Sequence, residues 1–163
     1  MALLSDALVQ QLLNGRYVAS LATEHPNGSI HMVSVWFWFD GAHIYVATSS
    51  RSRKSRNVEA NPKATLMIDS RDQCASFGAT VACSAELVGS DSSKRWNAEI
   101  HRKYLSDAAL ADPRVGPVFA GWDDVTIRLT PQSVIAWDMR VADEQVFGSA
   151  MKNNPSYLLP LDR

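Results

Sequence analysis

The sequence predicts a mainly β, α+β protein, a small barrel of six strands with accessory helices plugging its openings. Three observations lead there. Short apolar stretches recur with tight turns between them, Pro26-Asn27-Gly28 and Asp40-Gly41 among them. Segments with helical periodicity are few. A chain of 163 residues has room for one domain with a real core. That domain is expected over 1–140, with 141–163 as an extended C-terminal tail.

Each element has its own reason. Leu4, Leu8 and Leu12 fall on one face of a helix over Leu3 to Leu13, started by Ser5-Asp6 and stopped by Asn14-Gly15. Arg16 to Thr23 is a short apolar strand. Ser29 to Phe39 is a second, unusually aromatic strand, and Ala42 to Thr48 a third, so these three form an antiparallel meander. A helix from about Ser52 to Ala60 ends at Asn61-Pro62, because the residue before proline leaves helical space. Ala64 to Asp69 is a fourth strand. Phe77 to Val88 is a fifth, whose Gly78, Ala79, Ala82 and Ala85 suggest close approach by a ligand or another chain. Asp91-Ser92-Ser93 caps a helix from Lys94 to Tyr104, and Lys94, Arg95, Arg102 and Lys103 read as its solvated face. Pro113 to Gly121 is irregular. Asp124 to Pro131 with Ser133 to Met139 forms the last strand or strand pair, and Asn153-Asn154-Pro155 and Pro160 mark the tail.

Composition bounds the function. Hydrophobic content of 46% and charged content of 20% are ordinary for a globular protein. A formal net charge of −1 argues against nucleic acid as a partner. No apolar run reaches membrane-span length and the first residues lack a signal peptide's basic start, so a cytoplasmic protein with no membrane partner is expected. Cys74 and Cys83 make no metal spacing with any histidine pair and read as reduced thiols; His25, His43 and His101 show no metal pattern either, and no metal is expected. Hydrolase elbows, phosphate-binding P-loops and glycine-rich dinucleotide turns are missing from the sequence. Asp69, Asp72, Asp91, Asp123 and Asp124 flank strands and turns, where carboxylates serve as caps. No catalytic residue is assigned.

The informative cluster is Arg51, Arg53, Lys54 and Arg56, at the point where a strand hands over to a helix. Cations oppose the dipole in a helix's first turn, where free N–H groups already present positive potential. An anion would complete the corner: a phosphate there meets N–H groups, the hydroxyls of Ser49, Ser50, Ser52 and Ser55, and charged donors. The plain alternative is a solvated basic face. Crowding at one end, with Glu59 at the other, favours the phosphate clamp.

The order of parts resembles the pyridoxamine 5′-phosphate oxidase-like family of split β-barrel flavoproteins. The similarity covers Val18 to Met139 and is most specific at Ala47-Thr48-Ser49-Ser50-Arg51-Ser52-Arg53-Lys54, followed by Asn61-Pro62. It implies that Arg53 and Lys54 hold the phosphate of FMN, with Ser49 and Arg51 in the same corner, and that Ala47 and Thr48 line the ribityl chain. Val33, Ser34, Val35 and Trp36 would run beside the isoalloxazine ring. Trp137 would border the flavin of a partner subunit, so the resemblance implies a homodimer with shared sites and a small-molecule substrate. Branches of the same barrel bind 8-hydroxy-5-deazaflavin coenzyme F-420, and another binds haem. The aromatic run Val35 to Phe39 suits the deazaflavin branch, and the residues do not separate it from FMN. The expected function is a flavin-type oxidoreductase, with a non-enzymatic flavin or haem carrier as the alternative.

Two departures speak against vitamin B6 oxidation. The family's Arg-Leu-His-Asp-Arg run is replaced after Trp137 by Asp138-Met-Arg-Val-Ala-Asp143, and Gly78 stands where a glutamine normally touches the flavin. Gly78 also fits a structural dimer whose cofactor site has been lost. Trp36 and Trp38 alternate with Phe37 and Phe39, so core on one side and an interface on the other account for most of the four. His31 shares a face with Val33 and Val35.

Overall fold

The computed structural model describes residues 3–72 and 76–160. Seven strands form one antiparallel sheet in the order β2-β1-β5-β6-β7-β4-β3. They are β1 (Ala19–Glu24), β2 (Ile30–Val35), β3 (Trp38–Phe39), β4 (Ile44–Thr48), β5 (Lys63–Asp69), β6 (Phe77–Val88) and β7 (Val125–Asp138). Around them lie α1 (Ala7–Asn14), α2 (Arg53–Ala60), α3 (Ser90–Tyr104), α4 (Asp107–Ala111), α5 (Gly116–Trp122), α6 (Met139–Phe147) and α7 (Ala150–Asn153), with a 3₁₀ turn at Pro155–Tyr157.

The aromatic segment makes the split barrel. Where one strand is expected over Ser29 to Phe39, the chain forms β2 and β3 at opposite edges of the sheet. Only Trp36 and Phe37 separate them, so Val35 and Trp38 can be at most about 11 Å apart. The sheet must therefore curl until its two edges nearly meet. The count rises from six strands to seven through the two-residue β3, and the kind of fold is the one expected.

The inner face of this curl is the core. Leu21, Leu66, Ile68, Val81, Ile127 and Leu129 are buried on it, with Phe37 filling the closure. Helix α1 lies against β3, β5 and β6 and presses Val9, Leu12 and Leu13 into the same cluster. Phe37 and Phe39 are buried while Trp36 and Trp38 stay half-exposed, as the alternation requires. The last strand is continuous. Its register slips where Ala82 faces Ser133 and Cys83 faces Pro131, leaving Gln132 as the extra residue of a bulge. Proline has no N–H to give a ladder, so the slip falls beside it.

Three expectations change. The tail is not extended: α6 starts on Asp138, whose carboxylate accepts the Arg140 N–H, and stops at Gly148 in the left-handed region (φ 57°). Pro113 to Gly121 contains α5, with Pro117 in its first turn, where a missing N–H costs nothing. Lys103 is not on a solvated face, since its Nζ lies 4.0 Å from the centre of the Phe37 ring. Cys83 is buried, and burial pushes its thiol up to about 12, so it is an inert core residue. Cys74 lies outside the described residues.

Candidate functional site: a cationic corner at the split of the barrel

The corner between β4 and α2 is built by its own hydroxyls. Ser52 caps α2, its Oγ accepting the Ser55 N–H at 3.2 Å, and Thr48 Oγ1 donates to Ser52 Oγ at 3.0 Å. Ser55 Oγ donates to the Ser49 carbonyl at 2.7 Å, while Ser49 Oγ accepts the Arg51 N–H. Asp124, one residue before β7, receives both the N–H and the hydroxyl of Ser50 at 2.6 Å. These two bonds, with Arg51 nearby, hold the Asp124 carboxyl below the usual range. Ser50, Ser52 and Ser55 are thus consumed in shaping the turn. What stays open, among the described residues, is the Ser49 O–H, the first-turn N–H groups of Arg53 and Lys54 and the charged ends of Arg51, Arg53 and Lys54.

Those open groups are the donor set an anion needs: two N–H groups at the start of an eight-residue helix, and three cations. Arg51 and Arg53 are exposed, and Lys54 is half-buried. Burial lowers the Lys54 pKa, with the Asp123 charge pulling it back up. A phosphate beside Lys54 would replace the water that burial has taken from it. The residues present fit a phosphate-bearing cofactor.

Next to the corner is a cavity of about 140 Å³ lined by Ser34, Val35, Trp36, Ala47, Lys54, Ile100, His101 and Asp123. It sits where β2 and β4 come together across the split. A second cavity of about 260 Å³ shares Ser34, Val35 and Trp36 with it and adds Val18 and Phe119. Trp36 stands between them, stacked on Tyr104 (centroids 5.0 Å apart, planes at 2°) and on Phe119 (5.5 Å). A rigid aromatic wall beside a cationic corner can hold a flat ring at one end and a phosphate at the other.

The structure thus brings Ser34, Val35, Trp36, Ala47 and Lys54 to one cavity, whereas Ser49, Arg51 and Arg53 belong to the adjoining turn and the start of α2 and do not line it. Thr48 is buried within the turn, and Val33 packs toward the core. Trp137 lines neither cavity of its own chain. It lies over Gly78 in the β6–β7 ladder.

Sequence reasoning passed over His101, Asp123 and Asp124, which are joined by one device. Ser93, Asn97 and His101 recur every fourth residue on the buried side of α3, and all three are buried. Asn97 Nδ2 donates to the Asp123 carbonyl at 2.7 Å, and its Oδ1 accepts from Thr126 Oγ1 at 2.6 Å. Ser93 Oγ donates to the Asp124 carbonyl, and His101 Nε2 meets Asp123 Oδ2 at 2.9 Å. This polar stripe fixes the stretch ahead of β7, so that Asp123 faces the cavity and Asp124 faces Ser50. The signal was there to read: polar residues spaced by four where an amphipathic helix should be apolar.

An antiparallel sheet curled into a split barrel, with a phosphate-ready corner beside an aromatic cavity, defines a class of cofactor-binding barrels. The chain belongs to the pyridoxamine 5′-phosphate oxidase family, whose model matches residues 5–138. No curated protein matches it in sequence. Among solved structures it is similar to an F420 reductase, with 22% identity over 77% of this chain and 94% of that one and a TM-score of 0.61. It is also similar to a conserved hypothetical protein from Mycobacterium tuberculosis (20% identity, 85% and 87% covered, TM-score 0.68). A third is the haem storage protein HutZ from Vibrio cholerae (20% identity, 78% and 90% covered, TM-score 0.60). At these identities the likeness is one of fold. No helix among the described residues is long and apolar enough to cross a membrane.

Proposed function

We propose that this protein is an oxidoreductase that binds FMN or 8-hydroxy-5-deazaflavin coenzyme F-420 and acts on a small organic molecule other than pyridoxamine phosphate. The observation that carries this reading is the juxtaposition of the open Arg53–Lys54 corner with the Trp36 cavity. Arg53 and Lys54 hold the phosphate, Ala47 borders the chain leading from it, and Ser34 to Trp36 face the ring. When bound, the cofactor supplies two-electron chemistry; the protein supplies position, polarity and exclusion of water.

The functional unit in this proposal is a homodimer. The sheet's outer face supports it: Ser34, Ser20, Met67, Thr80 and Ile135 lie in one register row, and Met32, Ala22, Thr65 and Ala82 in the next. Met32 and Ile135 are 64% and 67% exposed, and the residues between are small or half-buried. Such a face of small residues, with exposed Met32 and Ile135 upon it, suits a second copy of itself. Trp137 is on the same strand and would reach the partner's cavity.

The test is to release the small molecule by heating the purified protein and weigh it, then titrate stripped protein with FMN, F-420 and riboflavin. Tight FMN or F-420 binding, much weaker riboflavin binding and a dimer by light scattering are expected. Release of an iron porphyrin would favour the carrier, and a monomer that binds none of the three would overturn the proposal.

A further inference from the structure

Buried His101 and half-buried Asp123 form a pair on the inner wall of the cavity, outside the phosphate corner. His101 is 6% exposed, and its Nε2 lies 2.9 Å from Asp123 Oδ2. A carboxylate at that distance keeps a proton on Nε2, so the neutral ring presents an unprotonated Nδ1. Among the described residues, Nδ1 has no hydrogen-bond partner, although the ring lines the cavity. Nδ1 is not among the buried unsatisfied atoms, so it opens onto the cavity, where a bound molecule can take its hydrogen bond.

The surroundings narrow what that something is. The charged groups facing the imidazole are Asp123, ahead of β7, and Lys54, from α2. The Phe119 ring of α5 lies 5.5 Å from it, and the remaining walls are Val35, Trp36, Ile100 and Ala47, with Ser34 at the mouth. Apart from the dyad and the lysine, the space is apolar.

We propose that His101 exchanges a proton with an apolar substrate bearing one polarised double bond, a carbonyl or an activated alkene, and that Asp123 is its positioning residue. This rests on the cofactor reading above and adds the substrate class. Reducing such a bond takes two electrons and two protons, delivered as a hydride and a proton. The reduced dihydro-cofactor, when bound, would supply the hydride, with both electrons, for the new C–H bond. The π pair moves to the far atom of the double bond, which takes the proton from Nδ1 of the imidazolium. His101 is left neutral, to be reprotonated from solvent, and the cofactor is left oxidised.

Nitrogen NMR of the histidine rings tests the dyad without cofactor. The neutral ring of His101 is expected as the Nε2–H tautomer, with the tautomer ratio changed in Asp123→Asn. A neutral ring protonated on Nδ1 overturns the proposal. With FMN- or F-420-loaded protein and cyclohexenone as probe, His101→Gln, compared at saturating cofactor, should lose about a hundred-fold or more in reduction rate. Asp123→Asn should lower the rate and move its pH profile, and it serves if His101→Gln does not fold. Enone reduction that survives His101→Gln, or a wild-type protein inert toward the enone, overturns the substrate class. Failure to bind either cofactor while His101 shows the Nε2–H tautomer overturns the cofactor reading and supports the dyad.

Discussion

Trp137 lies on Gly78 across the β6–β7 ladder, so closely that no side chain fits beneath it. The two are register partners, and a Cβ at position 78 would collide with the indole and come within 2.8 Å of the Ile68 carbonyl oxygen. The residue that approaches this glycine is the chain's own tryptophan, so Gly78 has a packing reason that requires no lost cofactor site. Gly78→Ala should destabilise the fold by about 1–3 kcal/mol, the cost of overpacking. Gly78→Gln should cost more and displace Trp137. Urea unfolding followed by tryptophan fluorescence measures both, and an unchanged midpoint in the alanine variant would refute the contact.

How much was legible in the sequence depended on how local the signal was. The cationic corner could be read because strand, cations and Asn61-Pro62 follow one another within fifteen or so residues. The closure between β2 and β3 could not, because an unbroken aromatic run satisfies strand periodicity whether it stays on one edge or crosses to the other. The helices of the tail were hidden for a different reason: Asp143 is buried and accepts the N–H groups of Met151 and Lys152, contacts that no apolar period announces. His101 and Asp123 are 22 residues apart and meet only once α3 has packed against β4 and β7.

Removing the cations at the corner should act on cofactors that carry phosphate and spare those that do not. Arg53→Ala and Lys54→Ala should each weaken FMN or F-420 binding by about 1.5–3 kcal/mol, the scale of a charge-assisted hydrogen bond. Riboflavin, lacking the phosphate, should bind both variants and the parent alike. Lys54→Ala also leaves Asp123 without its facing cation, so its effect should be the larger. Titration calorimetry settles the matter, and equal losses for FMN and riboflavin would place the phosphate elsewhere.

Lys103 gives stability an unusual dependence on pH. Burial, with the Arg16 charge second, lowers its pKa from an ordinary 10.5 to about 8 in the folded protein. Below about 8 the ammonium is charged in both states, and its desolvation counts fully against folding. Between the two values the unfolded chain holds the proton more tightly, so stability should rise with pH. The rise ends near pH 10, because burial pushes the Tyr104 hydroxyl up to about 12 and ionisation then favours the unfolded chain. Lys103→Met should raise stability at pH 7 and flatten the rise, while Lys103→Ala would add a cavity beside Phe37. Thermal unfolding from pH 7 to 10 tests this; a parent protein whose stability falls through that interval would contradict it.

Pyridoxamine 5′-phosphate should not be turned over at a useful rate. Its phosphate carries nearly two charges and needs a cationic pocket of its own, apart from the one that holds the cofactor. After Trp137 the nearest cation is Arg140, and its guanidinium is already engaged. Nε and one Nη lie 2.8 and 2.6 Å from the two oxygens of Asp138, and Cζ stands 3.9 Å from the centre of the Phe77 ring. The cavity of about 530 Å³ beside it is walled by Asp72, Asp138, Asp143 and Glu144 against Arg140 and Lys152, an excess of carboxylates. Freeing Arg140 for a phosphate would mean breaking a two-pronged ion pair, and the neighbouring acids would still repel the ligand. Losing two charge-assisted contacts at about 1.5–3 kcal/mol each weakens binding a hundred-fold or more. Incubating cofactor-loaded protein with pyridoxamine phosphate and following pyridoxal phosphate by absorbance should show no product above the cofactor-only control. Asp138→Asn, which loosens the hold on Arg140 and removes one opposing charge, is the variant in which weak phosphate binding should first emerge.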